Sequence, residues 1–255
     1  MGDNGENVAK KGHYDENNLA TWDNIANFWD KSLGNGNDMY QECLLPTIQE
    51  LGAPQKGERA LDLGTGSAVI AAVLATSGAR VTAVDGSKLM LAKAEVRAKD
   101  AKLDINFEVV NLLDTASLDD FSRRHNRIVI VNLHPAFSNP AGHRAMEVLE
   151  NEQTGKQEFH RHIKVSKYLD VAPVKSEALR GQPYPLNLYH RPFWSLLEPF
   201  FRNGLVMDAM REPGFTGPDD PSQLQSSQLQ SYHNFGQFPM LLTFRLSLLH
   251  TSMNT

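Results

Sequence analysis

LDLGTGSAVIAAVL, residues 61–74, is the stretch whose reading decides the fold. An apolar run carries an acid, Asp62, into Gly64 and Gly66, and a second apolar run follows at helical spacing. That order spells strand, glycine turn and helix, the way a loop for a nucleotide-like ligand is built. What the loop lacks narrows the ligand. A dinucleotide fingerprint needs GxGxxG, whose last glycine lets the helix pack close under a pyrophosphate, and Val69 stands at that position. A phosphate-cradling loop needs GK[ST], and none follows. Asp62 would repel a pyrophosphate, and it suits a ligand with a positive charge and no phosphate. A second acid, Asp85, ends the next apolar run, ARVTAVD (79–85), where a carboxylate can accept both hydroxyl protons of a ribose.

Outward from this stretch, the types alternate regularly. ALDLG (60–64) reads as a strand, Ser67–Ser77 as a helix, ARVTAVD as a strand and Lys88–Ala101 as a helix. INFEVVN (105–111) is a strand, SLDDFSRRH (117–125) a short helical segment and RIVIVNL (127–133) another strand. Apolar strands separated by helices of about ten residues imply parallel β-α-β units covered on both faces. Upstream, Trp22, Ile25, Phe28 and Trp29 share a helical face, GNGND (34–38) breaks it, and Leu44, Leu45, Ile48 and Leu51 continue a second helix. A polar excursion follows Pro135, roughly residues 138–190, with one strand-like piece, HIKVSKYL (162–169). Pro192–Arg202 is a helix opened by proline, LVMDAM (205–210) a strand, and MLLTFRLSLL (240–249) an apolar strand suited to a late antiparallel position. Between them, SQLQSSQLQS is a small duplication inside a flexible loop, 216–239.

Thirty acids against twenty-five bases, with no lysine-arginine block, exclude a phosphate backbone as the main partner. The single cysteine, Cys43, excludes a disulfide framework and a thiolate metal cage. The opening MGDNGENVAKKG lacks an apolar core and no run approaches transmembrane length, so a cytoplasmic protein with no membrane partner is expected. The expected organisation is a disordered tail at 1–13 and one domain at 14–255. Within it lie a helical cap (14–56), a cofactor-binding half (57–137), a substrate-side insertion (138–190) and a carboxyl-terminal helix with strands (191–255).

S-adenosylmethionine answers both demands of the loop, having an ammonium, a sulfonium and a ribose but no phosphate. LDLGTGSA, VTAVDGS and FEVVNLLD resemble the first three ligand-binding segments of class I S-adenosylmethionine-dependent methyltransferases. By that resemblance Asp62, Gly64, Thr65 and Gly66 take the methionine moiety. Asp85, with Gly86 and Ser87, takes the ribose, and Asn111 and Leu112 lie by the adenine. Ala68 stands where a third glycine is common. WDNIANFWDKSLGNGNDMYQECLLP resembles the amino-terminal cap of a bacterial and fungal group of small-molecule methyltransferases. HPAFSNP, KVSKYL and YHRPFWSLL resemble that group's later segments. The implied fold is α/β, a three-layer doubly wound, mostly parallel Rossmann-like sheet with an amino-terminal helical cap.

Here the strands number six where the class I core has seven. If RIVIVNL is the fifth core strand, the fourth and its helix are missing, and RIVIVNL must slide against ALDLG to close the sheet. The other reading makes RIVIVNL the fourth strand and HIKVSKYL the fifth; the continuous downstream resemblance favours the first.

Methyl transfer needs in-line positioning, plus a base where the acceptor is a hydroxyl or protonated amine. His134, at the carboxyl end of RIVIVNL, is the candidate base, with a hydrogen bond to the loop as its plainer role. Trp22, Trp29, Asn37, Tyr40, Tyr168, His190 and Arg191 are candidates for the acceptor pocket or its lid. Core packing, turn chemistry or loop pinning explains each equally well. His160 and His162 would share a strand face, but no acid or cysteine completes a set, so no metal is expected. The expected function is methyl transfer from S-adenosylmethionine to a small apolar or aromatic metabolite, by a monomer or homodimer without nucleic acid. The alternative is a methyltransferase-like protein that has lost methyl transfer and serves as a binding or regulatory subunit, or runs a different reaction in the same pocket.

Overall fold

The computed structural model describes residues 18–34, 36–112, 127–138, 140–217 and 235–248. The tail, the helical reading of 117–125 and the SQLQSSQLQS duplication lie outside them. Helix α1 (Asn18–Leu33) is followed by a π-helical turn (Met39–Leu44) that runs into α2 (Leu45–Gly52). Pro46 sits in the first turn of α2, where its missing N–H costs nothing. Ala53 in the left-handed region ends α2.

The glycine-loop half follows the expected order: β1 (Arg59–Leu63), α3 (Val69–Thr76), β2 (Arg80–Asp85), α4 (Lys88–Asp100) and β3 (Ile105–Val109). The three strands pair in parallel, β1-β2-β3, with Asp62 beside Ala83 and Val84 beside Glu108. Ala68, Ala71, Ala79, Val81, Ala83 and Ala94 form the seam between these strands and their helices. Small residues there let α3 and α4 lie close on the sheet.

The second half differs from the expectation. RIVIVNL forms β4 (Arg127–Leu133), but it does not close against β1 among the described residues. A separate three-stranded sheet, β4-β10-β9, holds it, with β9 at Leu205–Arg211 and β10 at Leu241–Leu248. Both ladders in it are antiparallel, so among the described residues the six expected strands fall into two three-stranded sheets, one parallel and one antiparallel, rather than one mostly parallel sheet. Strand β10 takes the antiparallel position expected of it, and its apolar run explains why: Leu242, Phe244 and Leu246 are fully buried against α5 (Phe193–Arg202).

Cap residues join the halves. Cys43, Leu44 and Ile48 pack with Ile70 and Leu74 of α3 and with Val129 and Val131 of β4. The cap is therefore part of the core rather than a lid alone.

The polar excursion holds more strand than the one piece expected. β5 (Gly142–Glu150) and β6 (Gln157–Val165) form an antiparallel hairpin, and β7 (Val174–Ser176) pairs with β8 (Leu186–Leu188). HIKVSKYL is thus a strand only in its first half. Its alternation continues upstream through QEFHR, a polar run whose strand character comes from pairing with β5 rather than from burial.

Candidate functional site

The glycine turn leaves β1 through Gly64 (φ 73°) and Gly66 (φ 55°), left-handed conformations that cost glycine little. The N–H groups of Gly64 and Thr65 both donate to the carbonyl of Val84, at 2.9 and 3.0 Å, tying the turn to β2. Asp85 ties it again: Oδ2 accepts from the Gly66 N–H at 2.9 Å and Oδ1 from the Ser87 N–H at 2.8 Å. One carboxylate at the end of β2 therefore sets both turns. A Cβ placed on Gly64 would meet only the Leu112 Cδ1, at 3.9 Å, among the described residues. The space over the turn is open, and Leu112 stands at its rim. Ala68, the site of the common third glycine, is held at φ 63°, which strains any residue with a Cβ by about 1 kcal/mol.

Asp62 points inward. It is buried, its Oδ2 accepts the Thr65 hydroxyl at 2.7 Å, and the Ala71 N–H also bonds it. Burial holds its carboxyl above the usual range; the two hydrogen bonds oppose this and the neighbouring charge of Asp85 adds to it. Tyr40, from the π-helical turn, lies close enough to Asp62 for that acid to push its hydroxyl further above the phenol range that burial already raises. Two acids at the ends of adjacent strands, with a half-buried phenol beside one of them, favour positive charge at this turn.

Other candidates have structural duties. Ser87 is fully buried, caps α4 by accepting the Met90 N–H at 3.2 Å, and donates to Asp23 Oδ1 at 2.5 Å. Its hydroxyl is committed to the cap. At Gly86 any Cβ would collide with Leu19 of α1, so this glycine is a close-approach residue. Asn37 accepts the Tyr40 N–H at 3.0 Å and shapes the turn that presents Tyr40. Trp22 and Trp29 pack edge to face with ring centres 5.1 Å apart, and the Trp29 Nε1–H donates to the buried Gln182 at 3.2 Å. Tyr168 accepts the Phe193 N–H at 2.9 Å and its carbonyl accepts His190 Nε2 at 2.6 Å, so this pair pins the loop to the start of α5.

His134 is buried, with Phe137 stacked at 4.5 Å. Its Nδ1 accepts the Ala136 N–H at 3.1 Å, so the proton sits on Nε2 and is donated to Glu212 Oε1 at 2.9 Å. The lone pair a base needs is taken by the backbone. The ring locks the turn after β4 to the end of β9, and the expectation of a free catalytic base is corrected accordingly.

Sequence reasoning missed three residues. Asp23 accepts Ser87 Oγ and the Leu89 N–H (3.3 Å), and Asp30 meets Arg97 at 2.7 Å and Lys93 at 3.7 Å, so two acids of α1 fasten the cap to α4. Glu212 was the third. Each is a long-range polar pairing that no local pattern announces. Among the described residues no cluster of ligating side chains could hold a metal, and no helix is long and apolar enough to cross a membrane.

Residues 60–151 match the family model described as a methyltransferase domain. A curated protein of Geobacillus sp. (strain WCH70), provisionally named a methyltransferase, is 30% identical over 102 residues, 40% of this chain. Those residues span 41% of that relative's length. The crystal structure of an S-adenosylmethionine-dependent methyltransferase from Mesorhizobium loti superimposes with a TM-score of 0.57 at 19% identity, covering 84% of this chain and 99% of that one. The fold is that of the class I, Rossmann-like methyltransferases.

Proposed function

We propose that the chain is an S-adenosylmethionine-dependent methyltransferase acting on a small apolar or aromatic acceptor, of the bacterial and fungal small-molecule group. The observation that carries this reading is the pairing of an open glycine turn with Asp62 and Asp85 at the ends of adjacent parallel strands. The donor set fits the cofactor. Gly64, Thr65 and Gly66 offer a backbone turn at which the methionine end fits. The spare lone pairs of Asp85 would accept from a ribose, and Asn111 and Leu112 lie where an adenine edge would rest. The bound cofactor supplies an electrophilic methyl on a sulfonium. Asp62 and Asp85 bring two carboxyl groups to the ends of β1 and β2 there, a setting that suits a cation better than a phosphate.

On this reading the chain contributes positioning rather than acid–base chemistry. Tyr40, Trp22, Trp29, Asn37, Tyr168, His190 and Arg191 belong to elements that would wall the acceptor side. His134 holds β4 and β9 together there. Work as a monomer or homodimer in the cytoplasm, without nucleic acid, goes with it. The strand order also fits a class I core lacking its fourth strand, because a fourth strand normally lies beside the first and β4 pairs with β10 instead.

The test is turnover. Purified protein with S-adenosylmethionine and a panel of phenols, amines and thiols should yield S-adenosylhomocysteine with at least one acceptor class. Tight cofactor binding with no turnover on any of them would favour the non-transferring alternative, which the separated sheets motivate.

A further inference from the structure

The β5–β6 hairpin carries none of the candidate site residues. Every residue of β5 from Met146 to Glu150 is exposed, and five of the exposed side chains on the ribbon are large and apolar: Met146 (60%), Val148 (47%), Leu149 (55%), Phe159 (56%) and Val165 (44%). Strand β6 pairs with one edge of β5, and the other edge has no partner strand among the described residues. A lone two-stranded ribbon is marginal in water, and an unprotected apolar edge is a template for another strand. Strand β5 has no proline, bulge or lysine to block such pairing.

The geometry points to a second copy of this chain as the occupant, pairing β5 with β5 antiparallel about a two-fold axis at Glu147. The sequence GHRAMEVLE is complementary to itself in that register. Arg144 falls opposite Glu150 of the second copy, Ala145 opposite Leu149, and Met146 opposite Val148, each twice by symmetry. On one face Phe159, Val148 and Met146 of the second copy then form a continuous apolar row across the junction. Glu147 meets its own image at the axis. Its charge is offset within each hairpin by Lys164 Nζ at 3.6 Å. The Arg144 guanidinium lies 5.3 Å from the Phe235 ring centre, which uses its flat face and leaves the N–H rim for a carboxylate. Four strands in one sheet would replace two exposed ribbons.

The full chain should sediment at twice its 28.4 kDa mass at about 100 μM. Glu150→Arg should shift it to monomer, by setting two arginines together, and adding Arg144→Glu should restore the dimer. Glu147→Cys places two thiols opposite each other at the axis, within disulfide reach of an antiparallel pair. Mild oxidation should then link the chains, whereas Ala145→Cys, which faces Leu149, should not link. The native Cys43 does not confuse the result, being buried with its thiol pushed up to about 11. A monomer at that concentration, or a dimer that ignores the charge swap and leaves Cys at 147 unlinked, would overturn the proposal.

Discussion

Asp62 is a buried carboxylate whose proton is held more tightly in the folded chain than in the unfolded one. The sign of its pH effect follows. Its contribution to stability is intact below the ordinary carboxylate value of about 4 and is lost as pH climbs toward the raised folded value. Asp62→Asn removes that ionisation. Its melting temperature should match the wild type near pH 4 and exceed it by a few degrees at pH 7 in the ligand-free protein. A lower melting point at pH 7 would mean that the bonds from Thr65 and Ala71 outweigh burial. Ala68 tests strain at the same scale. Ala68→Gly should raise stability in urea melts by up to about 1 kcal/mol, the left-handed backbone being relieved while the unfolded chain gains freedom. A loss would show that its buried methyl contributes more than its backbone costs.

At the scale of elements, the glycine-loop half was readable because each strand and helix there is set by local periodicity. β1, α3, β2, α4 and β3 fall within a few residues of their sequence-based spans. Strand β4 was readable as a strand, but its partner was not, since pairing depends on which edge β10 reaches after a long detour. QEFHR carried no strand signal because its pairing with β5 happens in the open. The cap helices were legible from Trp22, Ile25 and Phe28, whereas the polar ties that dock them were not. Asp23→Ala tests those ties. It leaves the buried Ser87 hydroxyl without its acceptor, so we expect a loss of about 1–3 kcal/mol and faster hydrogen exchange along α1. Unchanged exchange in α1 would show that apolar packing alone docks the cap.

For the molecule as a whole, two half-sheets are joined through α2 rather than through a shared strand. The domain match, residues 60–151, begins with the glycine-turn half and runs on through β4 and β5. The sequence singled out Asp62, Gly64, Gly66 and Asp85, and the structure brings them together at the ends of β1 and β2. The bonds that hold His134 and Ser87 were not legible, because a polar residue at a strand end looks alike whether it faces a ligand or locks a turn. Everything proposed about function rests on whether the half carrying the turn still binds its ligand beside a rearranged partner sheet. Calorimetric titration of the full chain with S-adenosylmethionine at pH 7 measures this directly. Saturable binding of one ligand per chain is expected, with Asp85→Ala weakening it by no more than a few kcal/mol. No heat at millimolar ligand, or affinity unchanged by Asp85→Ala, would contradict the assignment.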